Sequence, residues 1–221
     1  MFLSSAKTAK EINVKILVFG ASGRLGQKLV AYGLEAGHEI SAFVRKPEKL
    51  KLQHPALKLI LGDAEDPETI ENAIPGHDLI LSALGVSQMP PPITLMSDAV
   101  LFMLEAMQNA GVPRIIAVGG AGILQETETQ LKMESPSFPA FFKPISEDYF
   151  RVFELLKNSD REWTMVCPPT MPERVRTGNY RTLANYFPEG GQQIFVEDVA
   201  DFILAEITKR AFINQRVGIA Y

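Results

Sequence analysis

The sequence predicts a doubly wound α/β domain with a parallel sheet, and three observations carry that prediction. Short apolar, strand-like runs alternate with amphipathic stretches from near the start of the chain. The first run feeds a turn with three glycines, and the turn feeds a helical stripe. The chain has 221 residues, 46% hydrophobic and 22% charged, which suits one domain with a full core.

The elements follow in order. VKILVF, residues 14–19, is short and nearly all apolar, as a strand covered on both faces must be. The next stretch, residues 25–36, places Leu25, Leu29, Val30 and Leu34 on one helical face, and Gly37 ends it. Residues 39–44 read as a second strand, LKLILG (57–62) as a third and DLILSAL (78–84) as a fourth. Helical stretches at 67–74 and 95–110 separate these later strands. RIIAVGG (114–120) is a fifth strand and WTMVCPP (163–169) a sixth, with helical periodicity at 145–158 between them.

Two segments break the rhythm. Residues 121–144 carry Pro136, Pro139 and Pro144 with Met133, Phe138, Phe141 and Phe142. Residues 170–191 carry Pro172, Pro188, Gly178, Gly190 and Gly191. Long irregular segments are often lids or binding loops, and both leave the strand ends where ligands lie in this fold class. Residues 1–13 are expected to be a short extension, with the domain at 14–221.

Bulk properties exclude several roles. A net charge of −4 without a dense basic stripe argues against nucleic acid. No apolar run approaches the roughly 20 residues of a membrane span. Lys7, Lys10 and Glu11 interrupt the N-terminal stretch, so it does not read as a signal peptide. Cys167 is the only cysteine, which fits a reducing cytoplasm, and its apolar strand context makes it a small hydrophobe and not a nucleophile. His38, His54 and His77 lack ligand spacing and sit at strand starts or turns away from the expected site, so no metal is predicted. Trp163, opening the sixth strand, is expected in the core.

The glycine turn is where chemistry enters. GASGRLG places Gly20, Gly23 and Gly26 three apart at the first strand–helix junction. A helix start offers free backbone N–H groups and the positive end of the helix dipole, and glycines let a pyrophosphate approach. In this position the motif predicts dinucleotide binding. The end of the second strand selects the cofactor. NAD sites usually place an acid there for the ribose 2′-OH, and NADP sites an arginine for the 2′-phosphate. Arg45 and Lys46 hold that end, Lys49 follows, and Arg24 sits within the glycine turn. The prediction is therefore NADP(H). Asp63, in LGDAED, is placed either to bind adenine or to cap the helix that begins near Pro67.

GASGRLG, VRKPEKL, LGDA, the SALG turn (82–85) and WTMVCPP together resemble the atypical short-chain dehydrogenase/reductases. Within that group the chain is most similar to the NAD(P)H-binding, biliverdin reductase B-like (flavin reductase) proteins, with NmrA-like relatives. Residues 94–118, 147–169 and IFVEDVADFIL (194–204) extend the likeness over nearly the whole chain after residue 13. The resemblance implies a single Rossmann-like domain. It implies NADPH held by Gly20, Ser22, Gly23, Arg24, Leu25, Arg45, Lys49, Asp63, Ala64, Leu84 and Gly85. Lys46, Ala83, Val118, Gly119 and Gly120 belong to the same expected cofactor set. Pro168 and Pro169 would line the nicotinamide end, with Thr170 beside them.

The departures cluster at the chemistry. Short-chain dehydrogenases commonly use Ser, Tyr and Lys, the last two as Tyr-x-x-x-Lys. Here Tyr149 is followed four residues later by Phe153, and Gly120 stands where the serine is expected. The biliverdin reductase B-like proteins place histidines where this chain has Tyr149 and Thr170, and an arginine where it has Ser87. Tyr149 and Thr170 remain the candidate catalytic side chains.

Two functions follow as expectations. One is NADPH-dependent reduction of a flavin, quinone or tetrapyrrole-like planar acceptor, with the residues 89–92 turn and the phenylalanines before Lys143 as an apolar wall. The other is a non-catalytic NADP(H) sensor of the NmrA-like type, acting through a protein partner. Nucleotide-sugar epimerase chemistry is disfavoured, since it requires an intact Tyr-x-x-x-Lys.

Overall fold

The structure is a computed structural model and describes residues 13–86 and 92–221. The expectations for residues 1–12, for Ser87 and for most of the residues 89–92 turn fall outside the described residues.

Among the described residues eight strands form one sheet. They are β1 (Lys15–Phe19), β2 (Glu39–Val44), β3 (Leu57–Leu61), β4 (Leu79–Ser82), β5 (Arg114–Val118), β6 (Glu162–Cys167), β7 (Arg181–Ala184) and β8 (Gln215–Ala220). The order across the sheet is β3-β2-β1-β4-β5-β6-β8-β7, and every neighbouring pair is parallel except β7–β8. The chain moves outward from β1 to β3, then returns to lay β4 on the other side of β1. That reversal opens a crevice at the strands' C-terminal ends. Phe19 stands level with Phe43 of β2 and Ser82 of β4, so the three strand ends share one rim.

Helices cover both faces. They are α1 (Arg24–Glu35), α2 (Pro67–Ala73), α3 (Leu95–Ala110), α4 (Lys143–Asn158) and α5 (Val196–Lys209). Side chains alternate along β1: Leu17 and Phe19 enter the core shared with α2, α3 and α4, while Ile16 and Val18 enter the core shared with α1 and α5. This two-sided burial is why the central strands are almost wholly apolar. Trp163 is buried, as expected, against Phe153 of α4.

The structure departs from the sequence reading in the irregular segments. Within 170–191, β7 pairs antiparallel with β8, from Arg181↔Ala220 to Ala184↔Val217. RTLA is too short for periodicity to distinguish a strand from a turn, so its pairing is visible only in three dimensions. Residues 121–144 form single 3₁₀ turns at Ala121–Ile123, Lys132–Glu134 and Ala140–Phe142. The last turn runs directly into α4, and Pro144 lies in that helix's first turn, where its missing N–H costs nothing. No helix among the described residues is long and apolar enough to cross a membrane.

Candidate functional site

A cleft of about 570 Å³ opens along the rim where the strand order reverses. Its floor is the glycine turn, and its walls come from the ends of β2, β3, β4 and β5 and from α4.

The three glycines are there for three different reasons. Gly20 has φ of +73°, and a Cβ on it would lie 2.5 Å from the Ala83 carbonyl oxygen. The turn thus passes against the end of β4 with no room for a side chain. Gly26 lies inside α1, where a Cβ would fall 2.1 Å from the Gly20 carbonyl oxygen. Glycine there costs helix propensity, about 1 kcal/mol relative to alanine, and in return α1 packs directly on the turn. Gly23 is the N-cap of α1, with an ordinary φ of −75°. Its amide donates to the Gly20 carbonyl at 2.9 Å, and a Cβ would meet only that oxygen, at 3.2 Å.

The start of α1 therefore presents backbone amides to the cleft. No side chain caps it and no acid stands in its first turn. A Cβ at Gly85, on the facing wall, would touch nothing within 4 Å. An open concavity between an uncapped helix start and a bare glycine fits a pyrophosphate.

Fourteen of the expected residues line this one cleft: Gly20, Ser22, Gly23, Arg24, Leu25, Arg45, Asp63, Ala64, Ala83, Leu84, Gly85, Val118, Gly119 and Tyr149. Six do not. Lys46 precedes and Lys49 ends a short 3₁₀ turn beyond β2, and both are exposed. Gly120 lies under the edge of the Tyr149 ring. Pro168 is buried, and its carbonyl accepts the Ala121 amide at 3.0 Å. Pro169 is partly buried. Thr170 is exposed, and its carbonyl accepts the Ile194 amide at 3.2 Å.

Charge is concentrated at the β2–β3 end. Arg45 Nη1 lies 3.6 Å from Asp63 Oδ2 and 3.8 Å from Glu65 Oε2. The helix-cap role considered for Asp63 belongs instead to Asp66, whose carboxylate accepts the Glu68 amide at 3.0 Å. Asp63 is left to face the cleft. Arg24 turns toward the segment after β6, with Nη1 donating to the Met171 carbonyl at 2.8 Å.

The opposite end of the cleft is apolar, built by Val86, Leu95 and Ile145, with Tyr149 one helical turn beyond Ile145. Burial, then the neighbouring Asp148, pushes the Tyr149 phenol up to about 12. At neutral pH it is therefore a hydrogen-bond donor and not a base. Burial pushes the Cys167 thiol up to about 12 as well, consistent with an inert core residue.

Asp148 was not singled out by the sequence reading. Its buried carboxylate accepts Ser97 Oγ at 2.5 Å, the Met96 amide at 3.0 Å and Arg151 Nη2 at 3.0 Å. It thereby clamps the start of α3 to α4 and fixes Leu95 and Tyr149, two cleft residues, relative to each other. A pair of buried acids opens α5. Glu197 takes Lys28 Nζ at 3.1 Å and the Arg174 amide at 3.0 Å. Asp198 accepts the Thr177 and Gly178 amides, both at 2.8 Å, and the Thr177 and Tyr221 hydroxyls. The 170–178 segment is thus strapped to α5. The sequence reading did not single these acids out, and only the packing shows what they hold.

Comparison with known proteins bears on the fold and on the class of cofactor. The chain is 27% identical over 213 residues to YwnB, an uncharacterized protein of Bacillus subtilis (strain 168), covering 92% of this chain and 96% of that one. Other curated relatives are longer: the chain spans 36% of a 3-beta-hydroxysteroid dehydrogenase of Mycolicibacterium neoaurum, 29% identical over 133 residues. Among solved structures, a candidate epimerase of Bacteroides thetaiotaomicron superposes with a TM-score of 0.84 at 29% identity, covering 95% of this chain and 98% of that one. A candidate NADH-flavin reductase of Streptococcus pneumoniae superposes at 0.82 and 28%, covering 94% and 99%. The NAD(P)H-binding family model matches residues 20–210, nearly all of the described fold. This chain, with its Rossmann-like sheet and its open glycine cradle, belongs to the NAD(P)H-binding family.

Proposed function

We propose that this protein is an NADPH-dependent reductase of a planar acceptor such as a flavin or quinone. The observation that carries the reading is the polarity of the cleft at the strand ends. It runs from the uncapped start of α1 and the Arg45 guanidinium to an apolar wall of Val86, Leu95 and Ile145. The first end suits phosphates and the second suits a flat, poorly hydrated ring.

In this reading the amides at the start of α1 hold the pyrophosphate and Arg45 takes the 2′-phosphate. Asp63 faces the adenosine. When bound, the nicotinamide supplies a hydride. The chain's own contribution is position. Leu84, Val118 and Gly119 form the wall beside the ring, and the clamp at Asp148 holds Leu95 and Tyr149 opposite. Tyr149 donates a hydrogen bond and removes no proton, and solvent supplies the proton that the reduced acceptor takes up. Orientation of this kind contributes up to about 7–11 kcal/mol to a barrier, so a reductase needs no further acid. Phe153 in place of the lysine argues against deprotonation of a sugar hydroxyl by Tyr149. The reading places the protein in a reducing compartment, on the strength of its lone buried thiol.

One fluorescence trace tests it. The protein is mixed with stoichiometric NADPH, then with FMN or a quinone, and the reduced nicotinamide signal is followed. Binding and then decay faster than the protein-free control supports the reductase. Binding and then a flat trace across several acceptors rejects turnover and favours an NADPH sensor that acts through a protein partner.

A further inference from the structure

We propose that Glu65 sets how strongly this site prefers a cofactor with a 2′-phosphate, by competing with that phosphate for Arg45. The proposal rests on Arg45 being the 2′-phosphate ligand, as argued above.

The two acids beside Arg45 are not equivalent. Asp63 is built into the fold: Oδ1 accepts the Glu65 amide at 3.1 Å, and its own amide donates to Thr69 Oγ1 at 3.1 Å. Thr69 Oγ1 in turn donates to the Asp63 carbonyl at 2.9 Å. Asp63 also lines the cleft, where either cofactor would meet it. Glu65 does not line the cleft, and its side chain is 68% exposed. Among the described residues its carboxylate has one partner, Arg45, at 3.8 Å.

The electrostatics follow from this count. Two carboxylates face one guanidinium, so the immediate site has no net positive charge to offer an anion. The exposed Lys46 and Lys49 supply only screened, longer-range attraction. Any phosphate that bonds to Arg45 comes within about 8 Å of Glu65, about one Debye length at physiological salt. A 2′-phosphate must therefore displace Glu65 from the guanidinium and then tolerate it as a neighbour. A cofactor with a free 2′-OH does neither. The acid expected at the end of β2 in an NAD-type site thus stands at the end of β3, two residues after Asp63, facing an NADP-type arginine across the strand pair.

The test measures NADPH and NADH dissociation constants by nicotinamide fluorescence for wild type, Glu65→Gln, Arg45→Ala and the double variant. Glu65 is exposed and holds no structural bond, so Glu65→Gln is expected to fold, which circular dichroism checks. Glu65→Gln should tighten NADPH by about three- to tenfold and move NADH by less than about twofold. In the Arg45→Ala background the gain for NADPH should shrink to the part due to direct repulsion, and NADH should again move little. If Arg45→Ala weakens NADPH selectively but Glu65→Gln moves neither cofactor, or both equally, the role of Glu65 is overturned and the Arg45 reading stands. If Arg45→Ala leaves the NADPH-to-NADH ratio unchanged, the 2′-phosphate reading falls and the proposal falls with it.

Discussion

The two ends of the cleft are built by different means. At the glycine end, backbone makes the site: a left-handed Gly20 pressed on Ala83, an uncapped helix start, and Gly26 letting α1 rest on the turn. At the far end, side chains from α3 and α4 make it, held in place by one buried carboxylate, Asp148. A backbone site tolerates few alternatives, because a single Cβ closes it. A side-chain site can be rebuilt from different residues as long as packing holds it. The sequence divides along the same line: Gly20, Gly23 and Gly26 are all in place, whereas Gly120, Phe153 and Thr170 stand where the resemblance implies a serine, a lysine and a histidine.

The largest effect that sharpens this contrast is expected at Gly26. Gly26→Val drives a side chain into the Gly20 carbonyl and should destabilise the fold by more than about 3 kcal/mol, read as a lowered thermal midpoint. An unchanged midpoint would show that α1 is free to move off the turn. Gly23→Val is the counterpart. Its backbone conformation suits any residue, so the protein should fold normally yet lose NADPH and NADH alike by at least about tenfold. Retained binding would remove the glycine turn as the cradle. Arg45→Ala should weaken NADPH by about tenfold or more and NADH by less than about threefold, since charge-assisted bonds to phosphate are the strong ones.

Smaller effects test the side-chain half and its supports. Burial alone would raise the Asp198 pKa, but hydrogen bonds from Tyr221, Gly178 and Thr177 outweigh it and hold the group below its usual value. Its stabilisation is then present above the unfolded pKa of about 3.9 and lost as pH falls through the lower folded value. Asp198→Asn should cost about 1–3 kcal/mol at pH 7, with the gap to wild type narrowing at acid pH below that unfolded value. Urea midpoints at the two pH values check this, and a gap that does not depend on pH would refute it. Tyr149→Phe should be the mildest, slowing turnover by less than about tenfold. With its phenol near 12, Tyr149 should add no inflection to the rate profile between about pH 6 and 9. A basic limb near neutrality that vanishes in Tyr149→Phe would restore a general-base role.

The sequence alone determined the order of the first six strands along the chain, the helices between them, and the location of the glycine turn. These depend on local rules: apolar runs for strands covered on both faces, 3.6-residue stripes for helices, and glycines where backbone must touch backbone. The family resemblance added most of the residues that line the cleft, because in this fold class most of them follow strand ends; Tyr149, within α4, is an exception. Tertiary structure decided the rest. β7 exists only because β8 lies beside it. Asp148, Glu197 and Asp198 have their roles through partners far away in the chain, from Gly178 at 20 residues to Lys28 at 169. Whether Asp63 caps a helix or faces the cleft was settled by Asp66 taking the cap. And Arg45, a bare basic residue in the sequence, proves to be held between two acids, since the β2–β3 register brings those strand ends level. Local propensity is written residue by residue, but a charge takes its meaning from what the fold places beside it.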